Sequence, residues 1–321
     1  MNIALIADSG KRYGLGSINR CLSIAKVLSK NGHKPIFLSS SKSTESSIKD
    51  YGYKSILLER LKNNTQIFAL IKKLKIKILI VDSKKKKIVD FKFLKNKIKI
   101  VLIDNQKYVE YADLVVLPGV KEQFLNPPDN CLIGSKYIIL NPNFKKIKVG
   151  KLKNTIFISM GGSDKYDITS RIVKQLKKTS LDFTAYIILG KFYSNNKKIH
   201  RILQNDKRFI LVGSTKNLHE IIVKCQFGII SFGITVYETA ALNIPTLVIS
   251  HSFENHFSAK RIEQYGWFEY LGKHDSVNYS KVTKKIILNL TQKQRLRIKK
   301  PNLIDSKGPN RICKKILELN T

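Results

Sequence analysis

The sequence predicts two α/β domains in series, each a doubly wound parallel sheet covered by helices. Three observations carry this expectation. Short apolar runs alternate with amphipathic segments from the first residue, many of those runs are Ile/Val/Leu throughout, and the alternation lapses once near the middle before restarting. At 321 residues the chain has room for two units of about 150 residues, each with its own core.

The first half opens with NIALIA, a strand, followed by INRCLSIAKVLSKNG. In that second segment Ile18, Cys21, Leu22, Ala25 and Leu28 keep the three-and-four spacing of one buried stripe, and Gly32 ends it, so the spacing predicts a helix with a polar outer face. KPIFLS, STESSIKDYG and KSILL continue the alternation. Near-continuous apolar runs then end on Asp82 (IKILIVD) and Asp104 (IKIVLID), with DLVVLP after them.

Between about Gly134 and Lys153 the periodicity lapses into YIILNPNFKKIKVGKLKN, which predicts a linker and domains at 1–145 and 146–321. The pattern restarts with TIFISM, a helix at ITSRIVKQLKK, and strands at AYIILG, RFILVG, FGIIS and TLVIS. From Val277 onward the chain reads as helices, a tail expected to pack back on the first domain. The two domains are expected to face each other across a cleft.

Composition narrows the class. The chain is 43% hydrophobic and 9% aromatic, as a globular protein is, with no apolar run of roughly 18 residues to span a membrane. MNIALIADSG lacks the basic flank, longer apolar core and cleavage site of a secretory signal, which predicts a cytoplasmic protein. Cys21, Cys131, Cys225 and Cys313 lie far apart with no metal-ligand spacing, so they read as reduced, mostly buried thiols.

Charge is the main anomaly: 59 Lys+Arg against 23 Asp+Glu give +36. Such a field favours polyanions, anionic membrane or a diphosphate. Lysine is nevertheless dispersed along the whole chain (LKKLKIK, SKKKKIV, QLKKTS), as on solvated faces, and a dispersed charge assigns no function.

In open parallel sheets ligands bind beyond the carboxyl ends of strands, where helix amino termini point N–H groups at anions. Three loops fit. In DSGKRYGLGSINR, Gly10, Gly14 and Gly16 free the backbone, and Arg20 sits one turn into the helix, although the spacing fails the dinucleotide fingerprint. In SMGGSDKYD, Gly161, Gly162 and Ser163 offer backbone donors to a diphosphate, while Asp164 could equally be a plain N-cap. In SFGITVYETAALNIPTLVISHSFENHFSAKRI, a turn through Gly233 opens a helix bearing Thr235 and Glu238, and a later polar loop holds His251, Glu254, Asn255 and His256. Glu238 reads either as a ribose-binding carboxylate or as a solvated helix residue.

Taken together these motifs resemble the GT-B superfamily of two Rossmann-like domains. They are most similar to the UDP-2,4-diacetamido-2,4,6-trideoxy-β-L-altropyranose hydrolases of pseudaminic acid biosynthesis, and more distantly to the lipid-linked N-acetylglucosaminyltransferase of peptidoglycan synthesis. The resemblance covers almost the whole chain. It rests on Asp8, Ser9, Gly14, Gly16, Ser17 and Arg20 in the first loop, on Met160–Asp164, and on GSKYIILNPNF from Gly134 to Phe144. Gly233, Thr235, Glu238, Leu242 and Pro245, then Glu254, Asn255 and His256, complete it.

The resemblance implies cleavage of a sugar–UDP bond without a metal or other cofactor. Glu238 would hold the ribose, and Gly161–Ser163, Gly233, Thr235 and Asn255 the nucleotide and diphosphate. Asp8, Gly14, Gly16, Ser17 and Arg20 would face the sugar and the attacking group.

Two departures stand out. Ser17 occupies the position of a histidine that readies water in the hydrolases, and a serine hydroxyl without a basic partner removes no proton near neutral pH. Serine there has a ready alternative role as an N-cap. Asp8, Asp82, Asp104 and His256 are candidates for a substitute base. Asn141 and Asn143 replace the arginine and glutamate frequent in the family, which implies an altered sugar pocket. A glycosyltransferase using a glycan or lipid-linked acceptor, and a non-catalytic nucleotide-sugar binder, are the alternatives to hydrolysis. Peripheral contact with an anionic membrane fits the lysines; no specific nucleic acid is expected.

Overall fold

A computed structural model describes the chain except residues 9–13, 40, 59–62, 84–88, 130, 142–143, 145–151, 216, 295, 300–303 and 321. The chain divides into two units, Met1–Pro142 with Asp305–Thr321, and Asn143–Ile304.

The first unit runs β1 (Asn2–Ala7), α1 (Gly16–Lys30), β2 (Lys34–Ser39), α2 (Lys42–Lys49), β3 (Ser55–Leu57), α3 (Asn64–Lys73) and β4 (Ile76–Asp82). It continues with α4 (Phe91–Leu94), β5 (Lys99–Ile103), β6 (Leu114–Leu117) and β7 (Cys131–Ile133). All its strands pair parallel in the order β3-β2-β1-β4-β5-β6-β7. The order reverses between β1 and β4, so their carboxyl ends flank a topological switch point.

The second unit runs β8 (Thr155–Ser159), α5 (Ile168–Lys177), β9 (Thr184–Ile188), α6 (Asn196–Leu203), β10 (Phe209–Val212), α7 (Leu218–Ile222) and β11 (Phe227–Ser231). α8 (Ile234–Ala241), β12 (Thr246–Ser250), α9 (Phe253–Ile262), β13 (Phe268–Lys273) and α10 (Tyr279–Leu290) follow. Its sheet is also wholly parallel, β10-β9-β8-β11-β12-β13, with the switch between β8 and β11. β8, β11 and β12 are buried at every residue, as their largely apolar sequences require.

α11 (Gly308–Glu318) belongs to the first unit. Its Ile312, Cys313 and Ile316 join the core that α1 forms with β1, β4 and β5. The Cys313 thiol lies 3.7 Å from the Ile24 carbonyl. That packing explains why α1 buries Ser23, Ile24 and Val27 as well as the expected stripe: the face expected to be polar is partly covered by α11. α11 comes so close that a Cβ on Gly308 would stand 2.0 Å from the Ile138 carbonyl oxygen, so only glycine fits.

Ile138, Ile139 and Leu140, inside the expected linker, are buried. Cys21, Cys225 and Cys313 are buried free thiols, and Cys131 is a half-buried one. No helix among the described residues is long and apolar enough to cross a membrane.

Candidate functional site

At the carboxyl end of the first sheet three neighbouring strands deliver aspartates: Asp8 after β1, Asp82 closing β4 and Asp104 after β5. Arg20, on the second turn of α1, ties two of them together. Its Nε donates to Asp82 Oδ2 at 2.7 Å, and its Nη2 donates to Asp82 Oδ1 at 2.8 Å and to Asp104 Oδ2 at 3.1 Å. Burial pushes the Asp82 carboxyl up, and Arg20 and the Ser17 hydroxyl, which also donates to it, pull it back. Burial works against the Arg20 charge too, but Asp82 and Asp104 more than offset it and hold the guanidinium protonated.

Asp8 is fully buried and accepts from the Ser83 hydroxyl. Gly14 adopts φ +67°, a conformation that favours glycine, whereas Gly16 opens α1. One expectation changes here. Ser17 is not the N-cap of α1: Leu15 holds that position without a side-chain bond, and Ser17 lies inside the helix, bonded to Asp82. Arg20, expected to face a sugar, gives Nε and Nη2 to Asp82 and Asp104. Ser9, Gly10 and Asn143 lie outside the described residues, and Asn141 is half-buried.

In the second unit the turn after β8 sits at the switch point. Gly161 has φ +76°, and a Cβ there would lie 3.1 Å from the Ser231 hydroxyl at the end of β11, so the two turns touch. From the other side Gly190, after β9, approaches so closely that its Cβ would stand 2.4 Å from the Gly161 carbonyl oxygen and from Gly162 Cα. The Phe192 N–H donates to the Gly162 carbonyl at 2.9 Å. Asp167 adds a third tie, accepting from Ser170 Oγ at 2.6 Å, from Tyr193 Oη at 2.8 Å and from Lys198.

Asp164 is a cap: its two carboxylate oxygens accept from the Ile168 and Thr169 N–H groups, each at 2.9 Å. The N–H groups of Gly161, Gly162 and Ser163 find no acceptor among the described residues. The capping carboxylate of Asp164 and these N–H groups are therefore adjacent features of one loop. Beyond β11, α8 starts at Gly233 with no side-chain cap, and the N–H groups of Ile234 and Thr235 are likewise unspent among the described residues. Gly233 itself is extended at φ 169°, so the glycine matters for the room it leaves rather than for its backbone angle.

Glu238 lies behind this opening, one turn on from Thr235. It is not a solvated helix residue: α8 buries Val236 through Ala241, Glu238 included. Burial drives its carboxyl up to about 7, and only the Thr235 hydroxyl counters it. A buried acceptor with one neutral partner is costly until donors arrive. The motif's Leu242 caps the C-terminus of α8, and the Pro245 carbonyl accepts from the Gly228 N–H at 3.0 Å, holding α8's exit on β11.

The expected polar loop after β12 is a helix from Phe253, capped by Ser252, whose hydroxyl accepts from the Asn255 N–H at 3.2 Å. The Asn255 amide donates to the Phe232 carbonyl at 3.3 Å and so joins α9 to the turn that opens α8. His256 Nδ1 shares a 2.7 Å hydrogen bond with the Tyr270 hydroxyl, which also bonds Ser250. His251 is driven down to about 4 by burial and by nearby His274, whose ring stacks on Tyr166 at 3.6 Å. Among the described residues no group of three or more His, Cys, Asp or Glu side chains could hold a metal ion.

Gly190 and Tyr270 were not singled out in the sequence. Gly190 carried a signal, as a glycine closing the strand AYIILG; Tyr270 carried none, because its partners lie 14 and 20 residues away.

No family model matches this chain. It is 28% identical over 273 residues to the uncharacterized protein MJ1062 of Methanocaldococcus jannaschii, covering 78% of this chain and 55% of that protein, so it spans about half of that relative. It is 22% identical over 280 residues to the spore coat polysaccharide biosynthesis protein SpsG of Bacillus subtilis, covering 83% of this chain and 82% of SpsG. Among solved structures, Acinetobacter baumannii MurG superposes with a TM-score of 0.69 at 12% identity, over 99% of both chains. MnaA of S. aureus, solved with UDP, gives 0.69 at 16% identity, over 99% of this chain and 97% of MnaA.

The chain has the GT-B fold. In that frame the first unit is the amino-terminal GT-B domain and carries the Arg20–Asp82–Asp104 cluster. The second is the carboxyl-terminal GT-B domain, with a buried carboxylate and two N–H clusters unspent among the described residues at its switch point.

Proposed function

We propose that this chain is a nucleotide-sugar enzyme of polysaccharide biosynthesis that moves an amino sugar from UDP to an acceptor hydroxyl. The anomeric C–O bond to UDP breaks, UDP leaves with the electron pair, the acceptor oxygen bonds the anomeric carbon, and the hydroxyl proton passes to a base. The observation that carries the reading is Glu238. A carboxylate driven to about 7 by burial, with a single hydroxyl partner, is completed by two donors such as the ribose 2′ and 3′ hydroxyls.

The N–H groups of Gly161–Ser163, Ile234 and Thr235 suit the diphosphate. Fixed dipoles of this kind stabilise the departing UDP without a metal. SpsG, named for spore coat polysaccharide biosynthesis, and MnaA, solved with UDP, support the same direction.

Ser17 favours transfer over hydrolysis. Where the resembling hydrolases carry a histidine base, this chain carries a hydroxyl already committed to Asp82. A glycan or lipid-linked acceptor fits the reading, and so does peripheral contact of a +36 chain with an anionic membrane.

The test is a mass-spectrometric product screen with UDP-N-acetylglucosamine and UDP-2,4-diacetamido-2,4,6-trideoxyhexoses, with and without acceptors. UDP release that depends on an acceptor is expected. Equal release of free sugar in buffer alone would make the chain a hydrolase, and calorimetry showing no UDP binding would remove the nucleotide reading altogether.

A further inference from the structure

The turn between β8 and α5 is anchored on two sides. Between Gly161 and Asp167 the backbone enters the left-handed region three times, at Gly161 (φ +76°), Asp164 (φ +37°) and Asp167 (φ +53°). Two of these are aspartates, for which that conformation costs free energy, so it persists only where neighbours fix it. On the β9 side those neighbours are Gly190, Phe192 and Tyr193. On the opposite side the anchor is Tyr166.

The Tyr166 ring stacks on His274, with centroids 3.6 Å apart and planes 13° from parallel, and it stands at 76° to the His251 ring at 6.1 Å. His251 follows β12 and His274 follows β13, so the turn that leaves β8 reaches past β11 to the ends of the two strands beyond it. His274 is a firm support. Its N–H donates to the Ser250 carbonyl at 2.9 Å, and its carbonyl accepts from the Tyr279 hydroxyl at 3.1 Å. Among the described residues the Tyr166 hydroxyl holds no hydrogen bond, so the ring alone makes the contact. Burial holds the His274 imidazole below its ordinary range; Asp275 opposes this, and Lys273, Arg171 and Lys165 reinforce it. Near neutral pH the contact is therefore one between two uncharged rings.

We propose that the Tyr166–His274 stack positions the N–H groups of Gly161, Gly162 and Ser163 for the diphosphate by fixing the far side of their turn. Both are positioning residues that act through the backbone. The inference rests on the nucleotide-sugar reading above and adds to it how the anion-binding turn is kept in shape. The stack thus contributes to affinity for the phosphates and not for the nucleoside, which Glu238 holds from a different element.

Calorimetry with UDP, and with uridine as its competitor, separates the two contributions. Tyr166→Ala should lower UDP affinity roughly three- to tenfold, the scale of one aromatic pair, while uridine affinity stays within about twofold. His274→Ala should do the same, and the double variant should be no weaker than either single one, because one contact is lost in all three. Tyr166→Phe, which keeps the ring, should bind UDP within about twofold of the parent. Both side chains are only half-buried, and unchanged uridine binding shows that each variant is folded.

UDP affinity that is unmoved in Tyr166→Ala overturns the proposal, while UDP binding itself keeps the functional reading standing. Equal losses for UDP and uridine would make the stack a support of the whole unit rather than of the turn, and the proposal fails. It fails too if the two single losses add in the double variant, or if Tyr166→Phe binds as weakly as Tyr166→Ala. A parent that binds no UDP sinks the functional reading, and the positioning role with it.

Discussion

Arg20 grips Asp82 with two parallel hydrogen bonds of 2.7 and 2.8 Å, at the point where the first sheet reverses its strand order. The pair is buried and joins α1 to β4, so each charge depends on the other. Removing one partner of such a pair strands the other, at a cost of about 3–5 kcal/mol. Arg20→Ala should therefore destabilise the first unit on that scale in urea unfolding. Arg20→Ala with Asp82→Ala should be less damaging than the single change. A single variant within about 1 kcal/mol of the parent would show that the pair does not carry this load.

Glu238 makes stability and binding depend on pH in opposite directions. Its folded pKa of about 7 exceeds the ordinary 4.5, so between those values the folded chain holds a proton that the unfolded chain has released. Stability is thus highest below the unfolded value and declines as pH rises through about 7, by a few kcal/mol at most. Glu238→Gln should flatten that part of the Tm–pH curve. Donors from a ribose need the ionised carboxylate, so UDP affinity should rise toward and through pH 7 in the parent and lose that trend in the variant.

Gly190→Ala should be the most damaging small change near the second switch point. The added methyl meets backbone, the Gly161 carbonyl and Gly162, which cannot rotate away. The turn must shift, at about 1–3 kcal/mol of stability, and the N–H groups of Gly161–Ser163 move with it. A Tm scan and UDP calorimetry should both register the loss. Gly233→Ala, where a Cβ meets nothing within 4 Å, should cost far less stability.

Ser17→Ala tests whether Ser17 acts as a base. It removes one neutral hydroxyl from Asp82, which keeps both bonds from Arg20. Acceptor-dependent turnover should stay within about threefold, whereas losing a general base costs about 10²–10⁴-fold. A fall of that larger size would return Ser17 to the chemistry.

The central strands were legible because burial on both faces leaves an unmistakable apolar run, as in IKILIVD for β4 and TLVIS for β12. β13 was not, since FEYLGK is an edge strand whose Glu269, Gly272 and Lys273 break the run. β7, three half-buried residues at an edge of the first sheet, was too short to stand out. α9 read as a loop because Phe253 and Phe257 face outward, its first turn is otherwise polar, and only Ala259 and Ile262 near its end are buried.

At the candidate site, glycine-rich turns and Glu238 were visible as positions, but the burial that lifts the Glu238 carboxyl was not. It arises because α8 is covered on every side, which a sequence with Tyr237, Glu238 and Thr239 in succession does not announce. Nor could spacing reveal that Arg20 meets Asp82 and Asp104, 62 and 84 residues away.

The late return of α11 sets an order of events during synthesis. A ribosome makes the entire second unit before it makes Ile312, Cys313 and Ile316, which complete the wall of the first. The unit begun first is therefore sealed last. Nascent chains paused before residue 308 leave one flank of α1 bare to chaperones and proteases while the later-made unit already has its full complement of strands.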